Sequence, residues 1–322
     1  MNKLLPAGFV KIFFLFCFAL VIFTGNEGLS FENKSSLSVP GDVNGNGVIN
    51  QIDRELLEEH IIARAPLEGA PLERADANQD GKVDVADLVC MQSLFTFPVI
   101  EMVSVPAGTF TMGARDDLDD GEYAGDDEYP RHEVTLSAYQ IGKYEVTNGQ
   151  YCEVMNYALS KGYLENSNGS AYSGGDVYYN GNILLDIDDV YCQISYKSGY
   201  FTWESRDGYS MENHPVVEVS WYGSVAFCNW LSEIEGKTPA YNLSTCELTN
   251  QFGGGYRLPT EAECERAAAW DGKHWIYSYM SDTASSERMN YNSNNPLGLS
   301  DYPYTTGVGY YAIRVRRPKV FK

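Results

Sequence analysis

Ten oxygen-bearing side chains recur at fixed spacing near the start of the chain. Asp42, Asn44, Asn46, Asn50 and Asp53 occupy positions 1, 3, 5, 9 and 12 of a twelve-residue stretch. Asp76, Asn78, Asp80, Asp84 and Asp87 repeat the pattern at an offset of 34 residues. Gly47 and Gly81 hold the sixth position, where the chain must turn sharply. A hard cation such as calcium takes six to eight oxygens at flexible geometry, and a twelve-residue loop supplies them from these positions plus the backbone carbonyl of the seventh. Two loops in register make an ion-binding pair a stronger reading than two polar turns. The second loop offers four carboxylates and the first only Asp42 and Asp53, so the second is expected to bind the cation more tightly.

Helices must hold these loops. Leu56, Leu57 and Ile61 lie on one helical face after the first loop, and Leu88 and Met91 lead to Leu94 and Phe95 after the second. Residues 66–71 form a Pro/Gly-marked connector between the two halves. At Phe97-Pro98 the texture changes. Short β-like runs follow over 103–113, 132–139 and 141–146, and residues 160–213 read as long loops rich in Tyr, Gly, Ser and Asn. Two helices are expected beyond them. One starts at an N-capping Ser220 and buries Phe227, Trp230, Leu231 and Ile234; the other opens on the capping box Thr260–Glu263 and runs through Ala269. The fold class expected is α+β: a small all-α duplicated loop-helix module, then a mixed α/β domain with little regular structure. Its parts are a leader over 1–25, a linker over 26–40, the calcium module over 41–97, the second domain over 102–311 and a basic tail over 312–322.

Composition bounds the function. The 322 residues carry 23 Lys and Arg against 44 Asp and Glu, a formal charge of −21, which argues against affinity for nucleic acid or anionic membranes. Lys3 and Lys11 precede twelve uncharged, mostly apolar residues from Ile12 to Phe23, too few for a comfortable span and suited to a secretory leader. Secretion is therefore expected, with membrane attachment only if that segment is retained. Six cysteines follow Cys17, none in a C-x-x-C pair, so a zinc site is not expected. His60, His132, His214 and His274 stand far apart, and no phosphate loop, H-E-x-x-H or G-x-S-x-G occurs.

Two resemblances sharpen this reading. Residues 41–95, with Asp in place of Glu at the twelfth position and no helical pattern before the first loop, resemble the type I dockerin. That family docks extracellular proteins onto cohesin-bearing scaffolds. The resemblance implies calcium, a cohesin partner, a polysaccharide-degrading context, and partner-selecting residues at loop positions 10 and 11, here Gln51-Ile52 and Val85-Ala86. Neither pair is the family's common small hydroxyl pair.

The rest of the chain resembles the formylglycine-generating enzyme family, also called sulfatase-modifying factors. The resemblance is carried by Val105-Pro-Ala-Gly-Thr-Phe-Thr-Met-Gly113, Tyr144-Glu-Val-Thr-Asn148, His214-Pro-Val-Val-Glu-Val-Ser-Trp221 and Tyr256-Arg-Leu-Pro-Thr-Glu-Ala-Glu263. It implies a lectin-like mixed α/β domain. Trp221 and Trp230 are expected in its core, Arg257 against a carboxylate, and a structural calcium at Asn290 and Asp301. The family's enzymes oxidise a sulfatase cysteine with oxygen and a copper held by two C-terminal cysteines. Here no cysteine follows Cys264, and five of the last nine residues are Arg or Lys. The expectation is a domain lacking its catalytic end, with no catalytic residue to name. The alternatives are an active formylglycine-generating oxidase and a carbohydrate-binding domain.

Overall fold

A computed structural model describes residues 21–22, 40–43, 49, 51–94, 100–115, 125–166, 175–197, 199–290 and 294–311. The expected boundary at Phe97-Pro98 and the basic tail lie outside these residues. The chain divides into two compact units, Asn26–Val99 and Ile100–Lys322, and the second also takes in the N-terminal stretch through Gly25.

The smaller unit contains helices α1 (Gln51–Ile61), α2 (Ala70–Ala75) and α3 (Val85–Leu94). Its core is Val43, Ile49, Leu57, Ala75, Ala77 and Met91, with Leu56, Ile61 and Leu88 packed against it. The predicted apolar faces of α1 and α3 thus meet. The connector is not all loop: Pro71 stands in the first turn of α2, where its missing N–H costs nothing. His60 is structural, its Nδ1 accepting from the Leu67 amide at 2.9 Å.

The larger unit is a mixed α/β fold of short strands around a few helices. A four-stranded sheet runs in the order β15 (Tyr256–Arg257), β1 (Val21–Ile22), β5 (Tyr139–Gly142), β2 (Met102–Val105). Strands β3 (Gly108–Met112) and β4 (His132–Leu136) form a separate hairpin. The expected strand over 141–146 ends at Gly142. The segment read as loops over 160–213 instead contains hairpins: β6 (Glu165–Asn166), β7 (Val177–Tyr179) and β8 (Asn182–Leu185) in one sheet, β9 (Ile194–Lys197) with β10 (Tyr200–Trp203), and β11 (Ser205–Arg206) with β12 (Tyr209–Ser210); a further pair, β13 (Tyr241–Asn242) with β14 (Glu247–Leu248), follows it. Alternation in these strands is only a few residues long, so turn residues dominate their composition and mask them.

Three helices form the body. Helix α4 (Asn148–Ser160), unexpected from sequence, starts at a Thr147–Gln150 capping box. Helix α5 (Trp221–Ile234) is capped by Ser220, which accepts from the Gly223 amide, and α6 (Glu261–Ala269) by the Thr260–Glu263 box. Tyr151 of α4 stacks on Phe227 of α5 with centroids 5.5 Å apart. Helix α5 lies tight on β8: a Cβ on Gly223 would come 2.1 Å from the Leu184 carbonyl oxygen. Trp230 is buried as expected, but Trp221 is 48% exposed. It occupies the first position of α5, where the helix has not yet turned into the core. Among the described residues no helix is long and apolar enough to cross a membrane.

Candidate metal centre

The second loop is wound around its own carboxylates. Asp76 follows α2 and accepts from two amides, Asp80 N at 3.1 Å and Gly81 N at 2.9 Å. Asn78 Oδ1 accepts from Asp80 N at 2.9 Å, and Asp80 Oδ1 from Lys82 N at 2.9 Å. Gly81 has φ +84°, the left-handed backbone the sixth position requires. Asp84 Oδ1 accepts from Ala86 N at 2.8 Å and so begins α3. Asp87 closes the ring. It is fully buried, with Oδ1 accepting from Asn78 N at 3.1 Å and Oδ2 from Asp84 N at 2.8 Å.

These hydrogen bonds fix the side chains but use only part of their acceptor capacity, since each carboxylate has about four lone-pair sites. The donor set is all oxygen, carries four negative charges and is held on one short loop. It fits a hard divalent cation such as calcium.

Of the first loop, Asp42 and Asp53 are described and both are buried. Asn44, Asn46 and Asn50 lie outside the described residues. Sequence reading missed Arg74, which reaches across the repeat: its Nε donates to the Asp42 carbonyl at 2.6 Å and its Nη2 to the Val43 carbonyl at 2.8 Å, while Gly41 N donates to the Arg74 carbonyl at 2.6 Å. No local signal marks a contact 32 residues apart. Gln51 and Ile52 open α1, and Val85 and Ala86 open α3, both exposed. Val85 and Val89, one turn apart on α3, are 60% and 71% exposed.

The larger unit holds a cavity of about 400 Å³ whose lining includes Cys264, Glu265, His274, Tyr277, Arg288 and Tyr310. His274 Nδ1 lies 3.4 Å from Glu265 Oε1, which also accepts from the Gly113 amide at 2.9 Å. Thiol, imidazole and carboxylate thus share one cavity. The thiol is not activated: burial, with Glu263 and Glu261 beside it, pushes Cys264 up to about 11. A reactive cysteine needs the opposite, electropositive surroundings. Cys152, Cys192 and Cys228 are buried in the main core with thiol pKa values raised by burial, and neither they nor Cys246 and Cys264 form a disulfide among the described residues. This set does not fit a copper site built on paired thiolates.

Arg257 finds its carboxylate. Its Nη1 and Nη2 donate to the two oxygens of Glu263 at 2.8 and 2.6 Å, with both side chains almost wholly buried. His214 is likewise structural, Nδ1 sharing a hydrogen bond with Thr305 Oγ1 at 2.8 Å, and burial lowers its pKa. Asn290 lines the same cavity as Cys264 and donates to the Tyr304 carbonyl at 2.6 Å. Asp301 lines a different cleft, with Ser300 Oγ at 3.2 Å. A carboxylate cluster outside any sequence expectation sits at the end of β8: Asp186 groups with Asp176 and Asp188, and also with Asp189 and Glu218. Burial and hydrogen bonding to Asp188 push Asp186 up to about 6.

Comparison with known proteins identifies the two domains. Residues 40–95 match the model of the dockerin type I domain, and residues 91–313 match the sulfatase-modifying factor enzyme 1-like domain. The chain is 29% identical over 180 residues to the formylglycine-generating enzyme of Bos taurus, covering 52% of this chain and 39% of that one. It is 29% identical over 176 residues to the enzyme of Thermomonospora curvata, covering 52% and 48%. It is also 30% identical over 210 residues to a serine/threonine-protein kinase, pkn1, of Chlamydia caviae, covering 65% and 26%. The matched region thus spans less than half the length of each of these relatives. With the second match extending over more than half its length, the chain belongs to the sulfatase-modifying factor family and carries a type I dockerin domain ahead of that family's domain.

Proposed function

We propose that this is a secreted docking protein: calcium orders its dockerin module, the module seats on a cohesin-bearing scaffold, and the sulfatase-modifying-factor domain is displayed there without making formylglycine itself. The observation that carries the docking half is the position of Asp87. Its buried carboxylate ties the two ends of the second loop together at the start of α3, the helix that turns Val85 and Val89 outward. A cation bound to that loop therefore fixes the helix that presents the apolar contact pair. The loop-helix module is built from its calcium loops outward, and residues 1–25 serve as the leader that exports it.

The test is equilibrium binding of the full chain to purified type I cohesins, in calcium and in chelator. Saturable binding that disappears in chelator, and that Val89→Asp abolishes while calcium still induces helix, supports the reading. Binding indifferent to chelator overturns it.

The inert-domain half rests on the protonated, buried thiols. Incubation with a sulfatase-motif peptide, copper and oxygen should leave the peptide cysteine unchanged by mass spectrometry. Aldehyde formation that is lost in Cys264→Ala would instead establish the oxidase. One observation favours a carbohydrate role for the displayed domain. Exposed Tyr191 and Tyr302, edge to face at 5.2 Å, line a cleft with Asp207 and Asp301, a mix of aromatic and polar groups suited to a sugar. A glycan array separates the two, because Tyr302→Ala removes sugar binding and leaves any oxidation untouched.

A further inference from the structure

The four-stranded sheet of the larger unit has an unusual member. Strand β1 is only Val21–Ile22, comes from the apolar N-terminal segment, and is separated from the rest of its sheet in sequence by the whole smaller unit. It is an inner strand. Val21 pairs with Arg257 on one side and Ile141 on the other, and Ile22 with Tyr256 and Gln140, antiparallel both ways. Among the described residues strand β15 has no other neighbour in the sheet, whereas β5 is also paired along Met102–Val105. Adjacent strands lie about 4.8 Å apart, so removing β1 leaves β15 and β5 separated by roughly twice that, too far to pair.

Both walls of this slot belong to buried structure. Tyr256 is part of the main core, and Arg257 is 1% exposed and holds Glu263. Tyr139 and Ile141 form a second buried cluster with Val105, Leu136 and Ala267 around them. The Tyr139 hydroxyl donates to the Glu263 carbonyl at 2.7 Å, so the walls are also tied to one another beneath the slot. Unpaired N–H and C=O groups along two such strands are costly if buried and adhesive if exposed.

We propose that the gap between β5 and β15 is a strand-acceptor slot filled in cis by Val21–Ile22, so that these two residues are a structural part of the second domain until they are removed. Processing and domain order are then coupled: cleavage after the leader takes away the strand partner that β15 has among the described residues. This rests on the reading of residues 1–25 as a leader only for when the slot empties, and the mass of the secreted protein reports that separately.

The experiment is hydrogen exchange on the full chain, compared with Ile22→Pro, which removes an N–H and cannot serve an inner strand. The amides of β5 and β15 that face β1 should be protected in the parent and exchange on the order of tenfold faster or more in the variant, with those of β5 that face β2 and with 221–234 unchanged. A second variant covers the case in which the proline unfolds the domain. Ile22→Cys with Gln140→Cys should be joined by a short thiol crosslinker, and Ile22→Cys with Ser137→Cys, off register, should not. Unchanged exchange in Ile22→Pro, or crosslinking that ignores register, overturns the proposal.

Discussion

The two units handle buried negative charge in opposite ways. In the larger one, Glu263 is paired inside the protein: Arg257 binds both its oxygens, and the Thr260 amide donates to it at 2.8 Å. Despite desolvation its carboxyl is held below the ordinary range, chiefly by Arg257. In the smaller unit Asp87 is just as buried, but the bonds to it come from neutral amides, and Asp76, Asp80 and Asp84 stand on the same loop. One carboxylate carries its counter-charge with it, and the other is arranged for a cation from solution. The larger unit should be ordered by its sequence alone, the smaller by its sequence and an ion.

Breaking the internal pair should have the largest effect. Glu263→Gln removes the buried carboxylate that both Nη atoms of Arg257 bind and should cost about 3–5 kcal/mol in denaturant unfolding of the larger unit, with calcium unable to restore it. Calcium removal is the matching perturbation of the smaller unit. At a free concentration about 100 times the dissociation constant, calcium adds about 2.7 kcal/mol, so chelator should remove that amount from one unfolding transition and leave the other in place. Within the loops, Asp76→Ala or Asp87→Ala should weaken calcium binding in calorimetry more than Asn44→Ala, because a charged ligand contributes more than a neutral one.

Smaller effects sharpen the contrast. Thr260→Ala removes the cap of α6 and should cost about 1 kcal/mol in thermal unfolding of the larger unit. Asp186 gives the pH dependence. Its folded pKa, about 6, lies above the ordinary Asp value, so the folded state binds the extra proton between roughly pH 4 and 6. Stability of the larger unit should therefore fall as pH rises through that window, and Asp186→Asn should flatten the slope in thermal melts at stepped pH. Glu263 works in the opposite direction, its contribution lost as pH drops below the usual carboxylate range.

Much of this was legible before any coordinates. The loop spacing located the oxygen-bearing side chains around which the second loop winds, and the capping signatures at Ser220 and Thr260 located two helices, because both are short-range patterns with one physical meaning. Helix α4 was missed although Thr147 and Gln150 make the same kind of cap: its apolar face, with Tyr151, Cys152 and Met155, is thinned by Gly149 and Asn156. Arg74, the Asp186 group and the pairing of Val21–Ile22 had no local signal at all, since each depends on residues brought together from distant parts of the chain. Trp221 failed for a different reason. Its aromatic character predicted burial, but its place at the first turn of α5 decided exposure.

Calcium is held here to be a structural component of the dockerin module. Hydrogen exchange of residues 76–94 in the full chain, followed across a calcium titration, tests it directly. Protection of α3 should rise saturably with calcium and vanish in chelator, while α5 in the larger unit stays equally protected throughout. Equal protection of α3 in chelator and in millimolar calcium would contradict the account.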